Sequence, residues 1–167
     1  LLARDYRVDS LPTTQSRQGG WANDINDHGV AVGTQVGSSS YCPTRWADGT
    51  EQVFFCSGEA EAFGINNFGA IVGQYSAQEG GFLRLGSRTL ILKDLLDPTD
   101  PLNGLVLPVV GHEINDSMAV VGVGRSDSGV LQAIMLIPVP EPSTYLLIVA
   151  GGVIVLLLVK GRGRGAL

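Results

Sequence analysis

The sequence predicts an all-β fold made of three hairpin-based repeats of about 40–50 residues, followed by one C-terminal transmembrane helix. Three observations carry that reading. The segments "ANDINDHGVAVG" at 22–33, "AFGINNFGAIVG" at 62–73 and "GHEINDSMAVVG" at 111–122 align without gaps, at offsets of 40 and 49 residues. The stretches between them read as short strands separated by tight turns. From residue 143 the chain is uncharged for seventeen residues and then ends in three cations.

The frame common to the three segments is Ile-Asn, three residues of turn character, then a small or apolar run closing on Val-Gly. Asn, Asp and Gly accept left-handed backbone geometry, and the short Asn and Asp side chains cap their own turn. The turn is therefore assigned to Asn26 and Gly29, Asn66 and Gly69, and Asn115. Met118 stands where the other two repeats have Gly29 and Gly69. If that position needs a positive φ, Met there costs on the order of 1 kcal/mol, so the third hairpin either turns differently or is a degenerate terminal copy.

Residues 1–20 read as an N-terminal strand and linker, with "YRVDSL" as the strand. The chain opens on Leu1 rather than Met, and "LLA" reads as the last piece of an export signal whose start lies upstream. Residues 21–138 form the repeat ectodomain. Its first hairpin is followed by "YCPTRWADGTEQVFF", two strands about Asp48-Gly49, and the second by "GGFLRLGSRTLILKDLL", two strands about Gly86-Ser87. A helical turn fits only at "KDLLD", and the prolines of "DPTDPLNG" at 97–104 mark a loop. "GVLQAIMLIPVP" supplies one last strand. The total is about twelve strands, roughly four per repeat, which is the arithmetic of a propeller blade. "YRVDSL" would complete the third, three-stranded unit. Three blades are fewer than the roughly four to eight of most propellers, so a trefoil-like barrel and an open stack of sheets stand beside that reading.

Residues 139–167 differ in kind. Tyr145 to Val159 contains only apolar residues and Gly. Seventeen uncharged residues rise roughly 26 Å as a helix, just enough for about 30 Å of hydrocarbon. No polar face interrupts the run, as a surface helix of a small domain would require. Lys160, Arg162 and Arg164 follow at once, which places the C-terminus in the cytoplasm and residues 1–142 outside it. Those 142 residues hold eight of the eleven Lys and Arg and all sixteen Asp and Glu, a net charge of about −8. Nucleic acid and anionic lipid are poor partners for such a surface.

Two resemblances emerge from these residues. The frame A-x-x-I-N-x-x-G-x-x-V-G, followed by strands such as "RWADG" and "GGFLRLG", resembles the HAF family of bacterial extracellular repeats over about residues 20–137. The ending "VPEPSTYLLIVAGGVIVLLLVKGRGRG" resembles the PEP-CTERM sorting signal, in which Pro-Glu-Pro precedes a membrane span and an Arg-rich end. The motif falls on Pro140, Glu141 and Pro142, the span on 144–159 and the basic end on 160–167. The resemblance implies processing by an exosortase, a membrane-embedded cysteine protease-transpeptidase, and transfer from the inner membrane to the outer surface. It also implies a Gram-negative host that makes exopolysaccharide. Two prolines hold the motif extended, so a protease at the membrane surface can take it as a strand.

Other chemistry is sparse. Cys42 and Cys56 are the only cysteines and lie symmetrically about Gly49; a three-residue loop, Asp48 to Thr50, sets them opposite each other as a disulfide outside the cytoplasm. His28 and His112 share no motif and read as loop residues. "DINDHG" at 24–29 imitates a calcium loop but lacks the carboxylate at its fifth position and the closing Glu, so no metal is assigned. No nucleophile elbow, H-E-x-x-H or phosphate loop occurs, and the expectation is a non-enzymatic protein without cofactor. The sequence reading is an exported surface or matrix protein with a structural or adhesive role in biofilm, contacting extracellular polysaccharide. A carbohydrate-binding module, using Trp21 and Tyr41 with Trp46 in the core, is the first alternative; a secreted hydrolase is the second.

Overall fold

The computed structural model describes residues 6–14, 17–76, 80–104 and 106–139. The start of the chain, the sorting motif Pro140–Glu141–Pro142, the span 144–159 and the cations Lys160, Arg162 and Arg164 lie outside the described residues. The chain divides into two units, Leu1–Ile137 and Pro138–Leu167, and every strand among the described residues belongs to the first. Among the described residues no helix is long and apolar enough to cross a membrane.

The fold is all-β, in three antiparallel sheets that succeed one another along the chain. Sheet 1 contains β1 (Gly19–Ile25), β2 (Ala31–Val36), β3 (Tyr41–Ala47) and β4 (Thr50–Val53), in that order. Sheet 2 repeats the pattern with β5 (Glu61–Ile65), β6 (Ile71–Ser76), β7 (Gly80–Leu85) and β8 (Arg88–Ile91), then a 3-10 turn at Leu92–Leu95 in the "KDLLD" segment. Sheet 3 has β9 (Val106–Ile114), β10 (Val120–Ser126) and β11 (Leu131–Leu136), with β10 central. Each sheet is an up-and-down meander, because every connection between neighbouring strands is short enough to force an antiparallel return.

"YRVDSL" is not a strand and does not complete sheet 3. Residues 6–14 pair with no strand among the described residues, and Tyr6 and Val8 are exposed. What anchors the segment is the carbonyl of Pro12, which accepts the Trp46 indole N–H at 2.8 Å on sheet 1. The described strands therefore number eleven rather than twelve.

Consecutive sheets pack face to face, β1, β2 and β3 against β5, and β5, β6 and β7 against β9. One core layer lies between sheets 1 and 2: Val32, Ala62, Ile65, Ile71 and Phe82, with Phe54, Phe55 and Tyr75 closing its outer end. Phe55 stacks on Tyr75 at 4.7 Å and meets Phe82 edge-on at 5.7 Å. The second layer, between sheets 2 and 3, is Ala70, Val72, Leu83, Leu92, Ile114 and Val120, with Met118 and Leu136 against it. Each fully buried aliphatic or aromatic side chain contributes roughly 1.5–3 kcal/mol of transfer free energy, so neighbouring sheets stabilise one another.

The Cys42–Cys56 hairpin differs from expectation in its turn. Ala47 pairs with Thr50, which leaves a two-residue Asp48-Gly49 loop, with φ of 51° and 69°. That is the primed turn a right-twisted hairpin favours. Its register would set Cys42 opposite Phe55. Beyond Val53 the pairing slips by one residue: Ser57 donates its N–H to the Tyr41 carbonyl and Tyr41 donates to Gly58. The slip brings Cys42 and Cys56 together, with Cα atoms 4.3 Å apart and their sulfurs bonded.

Candidate functional site

The three Ile-Asn turns lie side by side. In each, the Asn N–H donates to the carbonyl of the residue four positions on, and the residue three positions on donates back to the Asn carbonyl, at 2.9–3.1 Å throughout. The side-chain oxygen of Asn26 accepts from the N–H groups of His28 and Val30, and that of Asn66 from Phe68 and Ala70; Asn115 accepts from Ala119. This is local Asx chemistry, as the residue types demand. Met118 adopts φ of 64°, beside 73° at Gly29 and 77° at Gly69, so the third hairpin makes the same turn and carries the left-handed strain in a non-Gly residue. Met118 packs against the second core layer, which offsets that cost.

The unused ends of Asn26 and Asn66 then join one repeat to the next. Asn26 Nδ2 donates to the Asn66 carbonyl at 3.0 Å, and Asn66 Nδ2 donates to the Asn115 carbonyl at 3.0 Å. The adjacent position forms a second row. Asp27 N–H donates to Asn67 Oδ1, Asn67 N–H donates to Asp116 Oδ1, and Asn67 Nδ2 donates to carboxylate oxygens of both Asp27 and Asp116 at 2.8 and 3.0 Å. The sequence separations across these bonds are 40 and 49, the same offsets that align the repeats. The triplets Ile25–Asp27, Ile65–Asn67 and Ile114–Asp116 line one shallow open depression.

A bulge in each first strand supplies a third row. Pairing skips Asn23 between Ala22 and Asp24, Phe63 between Ala62 and Gly64, and His112 between Gly111 and Glu113. An extra residue re-aims its side chain out of the pleat. Asn23 Nδ2 donates to the Ala62 carbonyl at 2.7 Å, and the Phe63 and His112 rings meet at 5.2 Å. His112 thus belongs to strand β9 and to the repeat stack, not to a loop. The bulge also explains why each repeat closes on Val-Gly. A Cβ at Gly33, Gly73 or Gly122 would run into the carbonyl oxygen of Trp21, Glu61 or Val110, the backbone that the bulge pushes across.

The oxygens of the calcium-like "DINDHG" segment are already engaged. Asp24 accepts from the N–H groups of Ile25 and Ile65 at 2.7 and 2.8 Å, and Asn26 Oδ1 holds its own turn. Among the described residues no group of three metal-ligating side chains converges.

The remaining sequence candidates sit on sheet 1. Trp46 is buried in the core, while Trp21 and Tyr41 form an edge-on pair at 5.4 Å with Trp21 partly exposed. Burial raises the pKa of the Glu61 carboxylate, Trp21 acts to lower it and Glu59 raises it further. The Arg17 guanidinium lies on the disulfide, 2.9 Å from the Cys42 sulfur. Arg17, Asp24 and Asn67 were not legible as contact residues, because nothing in their local sequence marks a partner 25 to 49 residues away. No protein-family model, no curated protein and no solved structure matches this chain.

Proposed function

We propose that this chain is an exported, acidic β-repeat protein of a bacterial surface or extracellular matrix, held briefly in the inner membrane and released by an exosortase. The carrying observation is the order at the C-terminus: Pro140-Glu141-Pro142, an apolar run of membrane-spanning length, then Lys160, Arg162 and Arg164. In this reading residues 144–159 form a transmembrane helix with a cytoplasmic C-terminus, and the exosortase cuts near the motif. The disulfide supports a compartment outside the cytoplasm, where Cys42 and Cys56 stay oxidised. The role is structural or adhesive. Three sheets tied by a turn ladder make a stiff body, with its loops and acidic turn row free to meet extracellular polysaccharide. The sheets are read as successive propeller blades, with a trefoil-like arrangement as the alternative.

A second reading, a carbohydrate-binding module at the cell surface, is favoured by Trp21, whose exposed indole stands against Tyr41. A glycan array separates it from a scaffold role: retention of a defined oligosaccharide, lost in Trp21→Ala, supports the module. The sorting reading is tested by expressing the full chain in a host with and without exosortase and tracking the C-terminus. Loss of residues after the motif only in the first host supports it. Retention of the tail in both leaves a plain single-pass anchor and overturns it.

A further inference from the structure

Among the described residues the repeat stack has two exposed ends, and their amide and apolar groups are complementary. Two sets of positions that correspond by the repeat offsets differ in burial at those ends. Val32 and Val72 are fully buried under the next sheet, whereas Val121 is 44% exposed. Ile65 and Ile114 are each 5% exposed against the preceding sheet, whereas Ile25 is 63% exposed.

The rear end is the outer face of sheet 3. Val121 pairs with Met135, and Arg125 pairs with both Leu131 and Leu107, so these side chains share one face. Leu107, Val121, Leu131 and Met135 are all exposed there. A face this apolar on a small domain marks an interaction surface. The front end is β1 with its turn. Residues 11–14 and 17–18 lie on β2 and β3 on that side, through Pro12 on Trp46 and Arg17 on Cys42, and leave Ile25 exposed.

The turn ladder fixes what fits between the ends. Asn26 and Asn66 each donate Nδ2 to the next Asn carbonyl, so the row has a direction. Among the described residues, Asn115 Nδ2 at the rear has no acceptor, and the Asn26 carbonyl at the front accepts only from its own turn, at Gly29. One end lacks the acceptor that the other end offers, and the apolar positions match in the same sense.

We propose that a second copy of this chain seats its front end on the rear face of sheet 3, so that two copies associate head to tail. The Asn115 amide of one copy meets the Asn26 carbonyl of the other and Val121 covers Ile25, repeating the amide and apolar contacts already made twice within each copy, while in the second row Asp116 faces Asp27 where the internal contacts pair a carboxylate with Asn67. Two such contacts close a pair into a ring of six sheets, within the roughly four to eight that sheet rings use, and leave neither end bare. This inference rests on the repeat stack alone and is independent of how the C-terminus is sorted.

The test is sedimentation of the full chain in a mild detergent that shields its apolar tail. The wild type is expected as a dimer. Val121→Asp and Ile25→Asp place charges at positions that are exposed in the single copy, so both variants keep their β-sheet circular dichroism and match the wild-type melting profile at concentrations low enough to dissociate the wild type. Each alone should sediment as a monomer, with dimerisation at least about tenfold weaker. Their equimolar mixture should recover dimers, because a mixed pair retains one intact contact. Asn115→Asp keeps the acceptor for Ala119 but loses the donor, and should also weaken the dimer. A wild-type monomer overturns the proposal. So does a dimer lost in Val121→Asp but not in Ile25→Asp, which means symmetric pairing of sheet 3 faces. A dimer surviving in both variants, driven by the tail, and oligomers that keep growing with concentration overturn it as well.

Discussion

Replacing Asn66 by Asp changes one atom at the centre of the stack and tests whether the turn ladder holds the sheets together. Asn66 is 3% exposed. Its Oδ1 accepts from Phe68 and Ala70, and an Asp oxygen keeps both bonds. Its Nδ2 donates to the Asn115 carbonyl at 3.0 Å, and there the Asp presents an oxygen to an oxygen. The lost bond alone costs about 0.5–1.5 kcal/mol. Burial of the carboxylate against a carbonyl adds more, since each unit of pKa displacement is about 1.36 kcal/mol. A total of about 3 kcal/mol at pH 7 is expected. The penalty depends on pH in a definite direction. Burial raises the folded-state pKa of the new carboxyl above its unfolded value of about 3.9, so the folded variant binds the proton more tightly. The loss is therefore complete above the folded pKa and disappears as pH falls below about 4, where the protonated oxygen can donate to Asn115 as the amide did. Thermal unfolding of variant and wild type, compared at each pH from about 3 to 8 and at low protein concentration, reads this out. Asn26→Asp, losing its bond to Asn66 at a more open turn, should cost less, and Asn115→Asp, whose amide has no acceptor among the described residues, less than about 0.5 kcal/mol. Equal costs at the three positions, or an Asn66→Asp penalty that does not change with pH, refute the ladder as the link between repeats.

Three further outcomes are expected. Gly73→Ala drives a Cβ into the Glu61 carbonyl and within 2.8 Å of the Phe82 ring, a clash on both sides that should cost at least about 3 kcal/mol; Gly69→Ala, with open space and only a φ of 77° against it, should cost about 1 kcal/mol. Similar unfolding temperatures for the two variants would contradict the bulge as the reason for the Val-Gly ending. Reducing the Cys42–Cys56 bond, which spans 14 residues, should lower stability by about 3 kcal/mol, read as a shift in the urea midpoint with and without reductant. Glu61→Gln should raise the melting temperature at pH 7, because burial raises the Glu61 pKa and so penalises its charged form in the fold. The gain must fade as pH falls toward about 4, where Glu61 is neutral folded or unfolded, and a gain independent of pH argues against burial as its cause.

What the sequence made legible was whatever rests on bonds within a few residues. The three turns, the Asp48-Gly49 hairpin and the 3-10 turn before Pro98 all satisfy their backbone groups locally, and residue type alone announces them. "YRVDSL" failed for the complementary reason. Its apolar alternation suits a strand, but strand formation needs a partner edge, and the Pro12 carbonyl is instead held by Trp46, 34 residues away. Cys42 and Cys56 were paired correctly through a wrong loop, since a one-residue slip after Val53 compensates for a turn one residue shorter than expected.

The Val-Gly at the end of each repeat was visible as a pattern, and its cause was not. The cause is a carbonyl pushed across the ladder by a bulge whose residue is Asn23 in one repeat, Phe63 in the next and His112 in the third. Those three side chains have nothing in common chemically, so no residue pattern marks the bulge; only the glycine opposite it is constrained enough to recur. Asn26 and Asn66 are each constrained twice, by their own loop through Oδ1 and by the next repeat through Nδ2, and neither Ser nor Asp meets both demands. The repeat therefore keeps the two residues for which geometry leaves no substitute, and varies where a side chain has only to fill space. By the same reasoning Met118 can replace a turn glycine: the position asks for a positive φ, which costs about 1 kcal/mol, and the contact of its side chain with the core beneath sheet 3 returns a comparable amount.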